Sequence, residues 1–383
     1  MNMVLINNSS ETFTPTVSGA IATWVWECCR AEPVEKPWVI TRTCEAPAYG
    51  HERTIFLEYP RIGDGKIEVL LWRMERKLDG WRNLRQLSYA RRVAEAIEKA
   101  GLTKAAMVLH NDPEMAVFLA GRFAGARVVH HFHNHLECKA GFRKRYGESK
   151  IISTAVSGFT ARWIEGYYRL AAGSVKAIHN GVDLQRFSPG ENGSTNGHRC
   201  VLNFVGRTGR EKGPDLLLKA AQTLAGRGCA FDVQIVGSNH WGKFELDDYQ
   251  RELQSLAVDL EGRGIAVKRL GHVERAGLPA AIRNADVHVI PSRWDEAFGL
   301  TTLEGMACGL ATVGSRTGGT PEVIGESGFL FERDSVEDLA GRLEPLVRDA
   351  GLRRKYAGMA RERAMDFTWS RTWSGMKSAA GVT

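Results

Sequence analysis

The sequence lacks the features of membrane-spanning and secreted proteins. No apolar run approaches the roughly 18 to 20 residues that a transmembrane helix needs. The segment from Met1 to Asn7 is short and apolar and contains no basic region, so we expect no secretory signal. The seven cysteines are scattered, form no C-x-x-C pair and are odd in number, which is typical of reduced thiols in a cytoplasmic protein.

Several common binding motifs are also missing. The glycine-containing loop at 206–213 has neither the G-x-G-x-x-G pattern of dinucleotide binding nor the P-loop pattern, which argues against NAD. We find no combined aromatic and basic motif for nucleic acid, so we expect no nucleic-acid partner. The formal net charge of +7 and the pI of about 9.0 still indicate an anionic partner, and by charge alone nucleotide diphosphate, anionic lipid and nucleic acid all qualify.

Strand-like and helix-like segments alternate along the chain. Its 383 residues, 43% of them hydrophobic, suffice for two domains with separate cores. β-branched runs followed by helical spacing recur in both halves, which predicts an α/β fold of two doubly wound parallel sheets whose carboxyl-end loops face across a cleft. We place the first domain at 1–183 and the second at 184–369.

The most informative stretch runs from Pro291 to Gly309. It follows the apolar run from Val287 to Ile290, which has the composition of a buried parallel strand, and it continues with helical spacing. Gly299 allows a ligand to approach the backbone closely. Thr301 and Thr302 place their N–H groups in the first helical turn, where the helix dipole favours an anion such as phosphate.

Glu304 falls on the side of this helix that should face the core. A carboxylate on an apolar face requires hydrogen-bond donors, and a ribose diol supplies two. The alternative is that Glu304 reaches water or pairs with a basic residue. The residues alone leave both interpretations open.

Glu296 and Glu304 occur in the pattern Pro-Ser-x-x-x-Glu-Ala-Phe-Gly-Leu-x-x-Leu-Glu-Gly-Met-Ala, which resembles the two-glutamate motif of retaining glycosyltransferase family 4. That family uses nucleotide sugars and has two facing Rossmann-like domains, the GT-B architecture. The resemblance implies that Glu296 contacts hydroxyls of the donor sugar and that Glu304 holds the nucleotide ribose. It also implies that the tail at 370–383 returns to the first domain. Further donor-binding positions in the same motif are Phe298, Gly299, Leu300 and Thr301.

The loop after the apolar run at 201–206 is the second element expected at the donor. Arg207, Arg210 and Lys212 stand at the carboxyl end of a strand, which suits a pyrophosphate, although a solvated basic loop is the alternative. The resemblance assigns the diphosphate to Arg207 and Lys212 and leaves Arg210 out. The other donor positions that it implies are Gly19 at the diphosphate and His272 and Val273 at the nucleobase.

A histidine cluster closes the apolar run that begins at Val128. Alternation along a strand places His131, His133 and His135 on one face, which suits a metal. Nothing else in the chain supplies a hydrolase site around them, so we expect no metal. The family resemblance implies a histidine beside the donor sugar and the acceptor at this place, and His133 matches it best.

The resemblance implies an enzyme that moves a hexosyl group from a nucleotide diphosphate sugar to an acceptor hydroxyl with retention. The donor expected is a UDP sugar, with GDP and ADP sugars as alternatives. We expect no cofactor, because Arg207, Lys212 and the helix start near Thr301 can stabilise the leaving diphosphate. The alternatives are a small soluble acceptor, a nucleotide-sugar epimerase, a sugar phosphorylase and a non-enzymatic binding module. A phosphorylase usually has a pyridoxal lysine, which we do not identify.

Basic residues between Arg73 and Lys99, with Trp72 and Trp81 among them, form the last notable stretch. They favour a carbohydrate acceptor that is lipid-linked or part of lipopolysaccharide, and peripheral contact with an anionic membrane at its inner face. The alternative is a solvated helix face. The resulting expectation is a cytoplasmic enzyme of cell-envelope polysaccharide or glycolipid synthesis.

Overall fold

The computed structural model describes residues 2–15, 19–32, 34–59, 84–138, 140–190, 199–239 and 247–382. The chain divides into two compact units. We call Met1–His179 with Trp369–Thr383 the N-terminal unit, and Asn180–Thr368 the C-terminal unit. The limits drawn from the sequence, at 183 and 369, lie within a few residues of these divisions.

The N-terminal unit is built on a seven-stranded sheet whose described pairings are parallel. Its strands are β1 Met3–Ile6, β2 Trp38–Arg42, β3 Thr54–Leu57, β4 Ala106–His110, β5 Arg127–Phe132, β6 Ile151–Ala155 and β7 Lys176–Ala177. They lie in the order β3-β2-β1-β4-β5-β6-β7. The order reverses between β1 and β4, which is the place where α/β folds usually bind ligands.

Helices flank this sheet and begin where local chemistry favours them. They are α1 Ala20–Ala31, α2 Leu84–Lys99, α3 Pro113–Arg122, α4 Ala140–Gly147, α5 Gly158–Tyr168 and the C-terminal helix Trp369–Ala380. At α3, Asp112 Oδ1 accepts the N–H of Met115 at 2.9 Å and Pro113 takes the first helical position. The C-terminal helix is tied to the end of α1, since Trp373 Nε1 donates to Glu32 Oε2 at 2.7 Å.

The C-terminal unit contains a six-stranded sheet, again with parallel pairings. Its strands are β8 Cys200–Val205, β9 Phe231–Val236, β10 Val267–Gly271, β11 Val287–Ile290, β12 Ala311–Ser315 and β13 Phe329–Phe331. The order is β10-β9-β8-β11-β12-β13, with the reversal between β8 and β11. All four residues of β11 are buried, as expected of a central parallel strand.

The helices of the C-terminal unit cover this sheet. They are α6 Pro214–Gly226, α7 Asp248–Gly262, α8 Leu278–Arg283, α9 Leu300–Ala307, α10 Thr320–Ile324, α11 Val336–Arg348 and α12 Ala350–Ala364. Aliphatic side chains of β8, β9 and α6 form one buried core with those of α11. The α/β fold of two doubly wound parallel sheets, predicted from the sequence, is confirmed.

The segment from Ser238 to Gln254 is polar and rather long for a simple connection between two elements, and α7 begins within it, at Asp248. Asp247 Oδ1 caps this helix by accepting the N–H of Gln250 at 2.7 Å. The first turn of α7 is largely polar, and the apolar spacing that reveals the helix begins only at Leu253.

The apolar run from Ile67 to Leu71, whose composition predicts a strand, lies outside the described residues, and so does the basic stretch up to residue 83. The second part of that stretch falls on α2. Among the described residues, no helix combines the length and the hydrophobicity that crossing a membrane requires.

Candidate functional site

The loop that follows β11 is shaped by Gly299, the residue that precedes α9. Gly299 has φ of +93°, in the left-handed region where side chains are disfavoured. A Cβ atom at this position would lie 2.8 Å from Thr302 Oγ1. Glycine is therefore required here, directly before the first turn of α9.

Glu296 is paired with a cation from a different loop. Its Oε1 atom accepts hydrogen bonds from Lys212 Nζ at 2.6 Å and from Ser292 Oγ at 2.9 Å. Lys212 ends a short 3₁₀ turn, Arg210–Lys212, between β8 and α6. Two residues that are 84 positions apart in the sequence, and that the sequence analysis assigned to sugar and diphosphate, thus lie in direct contact.

Gly213 brings these two loops together. It has φ of +70°, and a Cβ atom on it would lie 2.0 Å from the carbonyl oxygen of Pro291. The backbone N–H groups of Arg293 and Trp294 donate to the carbonyl oxygen of Glu211 at 2.9 and 3.1 Å. The position of Lys212 relative to Glu296 is therefore fixed by backbone contacts as well as by charge.

A buried carboxylate beneath the two loops adds a further connection. Asp215 is fully buried, and its oxygens accept two hydrogen bonds from the Arg293 guanidinium at 2.7 and 2.9 Å. Tyr249 and Lys219 also donate to it. Burial alone would raise the pKa of Asp215, but the hydrogen bonds from Arg293, Tyr249 and Lys219 hold it well below its ordinary value. Asp215 therefore stays charged and holds Arg293, whose backbone belongs to the Glu296 loop.

A glycine pair supports Glu296 from the other side. The N–H of Gly319 donates to the carbonyl oxygen of Glu296 at 2.6 Å. Gly318 has φ of +55°, and a Cβ atom on it would lie 2.1 Å from the same oxygen. The glycine loop ahead of α10 thus packs directly against the backbone of Glu296 and fixes its position.

The two arginines of the β8 loop, Arg207 and Arg210, have different surroundings. Arg207 is mostly exposed and lies 3.4 Å from Glu211. Arg210 pairs with Glu252 at 2.8 Å, and its guanidinium lies 4.4 Å from the ring centre of Tyr249. The structure therefore directs Arg210 toward α7 and leaves Arg207 at the surface near Lys212.

Glu304 lies inside the unit and pairs with an arginine. Only 2% of the residue is exposed, and its Oε1 accepts a hydrogen bond from Arg275 Nη1 at 2.8 Å. The sequence left open whether Glu304 holds a ribose or pairs with a basic residue, and in this structure it pairs with Arg275. Arg275 stands in the loop after β10 that also carries His272, which is exposed, and Val273, which is half-buried. The sequence analysis did not single out Arg275, because an arginine in a polar loop has no distinguishing pattern.

A chain of hydrogen-bonded, buried polar side chains connects the sheet to the first turn of α9. His288, on β11, contacts the carbonyl oxygen of Thr301 through Nε2 at 2.9 Å, and Asn203 Nδ2 lies 3.3 Å from its Nδ1. Gln234 donates to Asn203 Oδ1, which leaves the Asn203 amide to donate to His288. His288 is therefore neutral with its proton on Nε2, and burial lowers its pKa to about 4.

The remaining predicted residues of the α9 loop differ in exposure. The Phe298 side chain is buried and packs edge-on against Phe367, with ring centres 5.9 Å apart. Only the backbone of Phe298 therefore faces the site. Leu300 and Thr301 are half-buried in the first turn of α9.

His133 lies in the N-terminal unit, just beyond β5. Its ring contacts His110, with Nε2 3.0 Å from His110 Nδ1, and its N–H donates to Asn111 Oδ1 at 2.7 Å. Burial lowers the pKa of His133 to about 3, so the ring is neutral. The ring of Trp24 lies edge-on to it at 6.0 Å.

The predicted common face of His131, His133 and His135 is wrong for His135, because β5 ends at Phe132 and the strand pattern stops there. His131 and His133 are close, with ring centres 4.7 Å apart. His135 instead stacks on Trp163. Within the described ranges, no group of three or more histidine, cysteine or acidic residues has an arrangement suited to a metal ion.

Gly19 precedes α1 in the N-terminal unit, and a carboxylate of the chain lies against it. The N–H of Gly19 donates to Glu11 Oε2 at 3.1 Å, and a Cβ on Gly19 would lie 2.6 Å from Glu11 Oε1. Burial raises the pKa of Glu11, while backbone N–H groups of Gly19 and Ala22 act in the opposite direction. Glu11 was not predicted from the sequence, because it stands eight positions before Gly19 and no local pattern connects the two residues.

Two parallel-sheet domains, each with polar loops at the carboxyl ends of its strands, define the Rossmann-like class of nucleotide-binding folds. Two family models match the chain. Glycosyltransferase Family 4 matches residues 39–186 and Glycosyl transferases group 1 matches residues 191–363. The chain is 32% identical over 278 residues to the phosphatidyl-myo-inositol mannosyltransferase of Mycolicibacterium smegmatis, an alignment that covers 69% of this chain and 68% of that protein. The chain belongs to glycosyltransferase family 4, as its two-glutamate motif predicted.

Further relatives give the same family and fold. The D-inositol 3-phosphate glycosyltransferase of Corynebacterium jeikeium is 35% identical over 220 residues, which is 54% of this chain and 51% of that protein. The match therefore spans about half the length of these inositol phosphate relatives. The crystal structure of Anabaena HepE in complex with UDP superposes with a TM-score of 0.70 at 20% identity, covering 99% of each chain. This likeness shows that the fold is that of GT-B glycosyltransferases.

Proposed function

We propose that the protein is a retaining glycosyltransferase that moves a hexosyl group from a nucleotide diphosphate sugar to an acceptor hydroxyl. The observation that carries the proposal is the contact of Lys212 with Glu296 beside the first turn of α9. A cation, a carboxylate and a helix N-terminus then lie together at the carboxyl ends of β8 and β11. A diphosphate requires the first and the third, and a sugar with free hydroxyls requires the second.

The donor replaces the contact between Lys212 and Glu296. Lys212 turns to the diphosphate together with Arg207, whose exposed side chain is on the same loop. Glu296 is then released to accept hydrogen bonds from the donor sugar, and Ser292 continues to hold it at 2.9 Å. The ion pair holds both side chains in place until the donor arrives.

The leaving group is stabilised by charge that is already oriented. When the bond from the anomeric carbon to the phosphate oxygen breaks, negative charge develops on the diphosphate. Arg207, Lys212 and the N–H groups near Thr301 then stabilise this charge, so the reaction does not require a metal. Addition of a chelator should accordingly leave turnover unchanged.

Retention follows from attack on the face that the diphosphate leaves. The acceptor oxygen bonds to the anomeric carbon, and its proton passes to the departing phosphate oxygen. Retaining glycosidases instead use two carboxylates roughly 5 Å apart, one of them as nucleophile. Here Glu304 is assigned to the ribose, so no second carboxylate is left for that scheme. Neutral His133 holds a donor hydroxyl or the acceptor.

The donor proposed is a UDP sugar, because HepE was solved with UDP on the same fold. Gly19, His272, Val273, Phe298, Gly299 and Leu300 complete the proposed donor contacts, with Phe298 contributing its backbone. The acceptor is proposed to be carbohydrate or lipid-linked, in cell-envelope synthesis, and to bind the N-terminal unit. The phosphatidyl-myo-inositol mannosyltransferase relative supports an acceptor of this kind. A cytoplasmic location with peripheral membrane contact fits the same proposal.

Donor hydrolysis tests the proposal without knowledge of the acceptor. The protein is incubated with UDP, GDP and ADP sugars, and slow release of the free sugar is followed together with its anomeric form. Release from one donor, with the α or β configuration of the donor retained at first appearance, supports a retaining transferase. Interconversion of sugars without release indicates an epimerase, and cleavage only with added phosphate indicates a phosphorylase.

A further inference from the structure

The pair of Glu304 and Arg275 differs from an ordinary buried ion pair in the exposure of its two members. The Glu304 side chain is 3% exposed, whereas the Arg275 side chain is 33% exposed. The pair therefore meets solvent on the side of the arginine.

Arg275 contacts Glu304 through a terminal nitrogen of its guanidinium. Arg275 Nη1 lies 2.8 Å from Glu304 Oε1. A carboxylate buried among apolar side chains is costly unless a cation and hydrogen-bond donors stabilise it, and Arg275 provides both. The arginine thereby limits the rotation of the Glu304 carboxylate, whose oxygens can accept more hydrogen bonds than this contact uses.

Arg275 is itself held in place. Its carbonyl oxygen accepts a hydrogen bond from the Arg186 guanidinium, and its own guanidinium lies 5.6 Å from the ring centre of Phe187. Phe187 is almost fully buried. The backbone and the side-chain head of Arg275 are thus both anchored, so the orientation that it imposes on Glu304 exists before any ligand binds.

Arg275 lies close in the sequence to the residues proposed for the nucleobase. The residue stands in the loop after β10, three residues beyond His272 and two beyond Val273, the positions proposed for the nucleobase. Glu304 is proposed for the ribose. Arg275 therefore connects the part of the site assigned to the base with the acid assigned to the sugar of the nucleotide.

We propose that Arg275 is a positioning residue that sets the preference of the site for ribonucleotides. It holds Glu304 so that the carboxylate accepts hydrogen bonds from the ribose 2′- and 3′-hydroxyls. The inference rests on the proposed function, since it concerns the nucleotide of the same donor. A ligand without the 2′-hydroxyl leaves the aimed carboxylate oxygen without a partner and so binds more weakly.

The experiment compares UDP with 2′-deoxy-UDP by isothermal titration calorimetry, with the GDP and ADP pairs run in parallel. The wild-type protein should prefer the ribonucleotide by roughly ten-fold or more, as expected for a hydrogen bond to a charged group. In Arg275→Met that preference should fall to within about two-fold, mainly through weaker binding of the ribonucleotide. Arg316→Met is the control, because Arg316 pairs with Glu332 at the surface of the same unit, and it should keep the full preference.

Arg275→Lys keeps the positive charge beside Glu304 and serves if the methionine variant fails to fold. Lysine lacks the planar fork of arginine, so the preference should fall by at least about three-fold while binding persists. An undiminished preference in Arg275→Lys or Arg275→Met overturns the inference, as does an equal loss of affinity for both nucleotides. Failure of the wild-type protein to bind any of the three nucleotides would instead overturn the proposed function.

Discussion

At the scale of single residues, the two glutamates of the motif occupy different environments and should act on different steps. Glu304 is buried beside Arg275, whereas Glu296 is partly accessible and contacts Lys212 and Ser292. Glu304→Ala should weaken nucleotide affinity by roughly ten-fold, because it removes a charged hydrogen-bond acceptor from the ground-state complex. Glu296→Ala should leave nucleotide affinity near that of the wild type and lower kcat by about 100-fold.

Nucleotide titration and steady-state donor hydrolysis measure these two effects separately. Similar small effects of both substitutions on both quantities would contradict the assignment. The test is sharp because the two residues lie in one loop and helix, so a general disturbance of that segment would affect them alike.

A second prediction for a single residue concerns Asp215. Asp215→Asn places an amide opposite the Arg293 guanidinium and should lower the free energy of unfolding by about 3 kcal/mol. This value is at the low end for breaking a buried ion pair, because Arg293 is partly exposed. Glu332→Gln is the control, because its pair with Arg316 is exposed and should cost under about 0.5 kcal/mol. Urea unfolding of both variants provides the comparison. Equal costs would show that Asp215 does not hold the Glu296 loop.

At the scale of elements, the glycine loop before α10 carries a steric prediction. Gly318→Ala forces a Cβ atom toward the carbonyl oxygen of Glu296 in a left-handed backbone conformation, which should destabilise the protein by more than about 1 kcal/mol and reduce donor turnover. Gly341→Ala is the matched control. Gly341 lies in α11 with no atom near its missing Cβ, so the change should be neutral or stabilising. Thermal unfolding and donor hydrolysis report both effects, and normal turnover in Gly318→Ala would contradict the role of this loop.

The support of α9 by His288 predicts a pH dependence. The folded-state pKa of about 4 lies below the unfolded value of about 6.5, so the neutral ring favours folding above pH 6.5 and this contribution is lost as the pH falls toward 4. His288→Asn should be less stable than the wild type at pH 7.5, because it loses the contact with the Thr301 carbonyl. The difference should shrink by about 2 kcal/mol at pH 5, where only the wild type must neutralise a histidine. Urea unfolding at both pH values measures it, and an equal difference at both would contradict the buried neutral ring.

The elements of the C-terminal unit were largely predictable, because parallel strands buried on both faces read as apolar runs and glycines mark the turns after them. Helix α7 was not, since its first turn is largely polar. Partners such as Arg275, Asp215 and Glu11 could not be foreseen either. Their roles depend on long-range contacts, and no local pattern distinguishes an arginine that reaches a buried glutamate from one that faces water.

In the whole molecule, the two-glutamate motif and the fold both indicate a family 4 glycosyltransferase. The strand order reverses between β8 and β11 in the C-terminal unit, and the cationic loop and the Glu296 loop follow these two strands. Each unit thus has the ligand-binding edge of a doubly wound sheet, and the predicted donor residues other than Gly19 belong to the C-terminal unit. His133 stands at the corresponding edge of the N-terminal unit.

The central claim is that the C-terminal unit binds a nucleotide diphosphate through a preformed cationic loop and a buried acid. A crystal structure of the protein soaked with UDP, GDP or ADP tests it most directly. We expect Lys212 to leave Glu296 and to contact the diphosphate together with Arg207. We also expect Glu304 to accept hydrogen bonds from the ribose hydroxyls while Arg275 remains bound to it. A bound nucleotide with Arg207 and Lys212 directed away from its phosphates would contradict the claim.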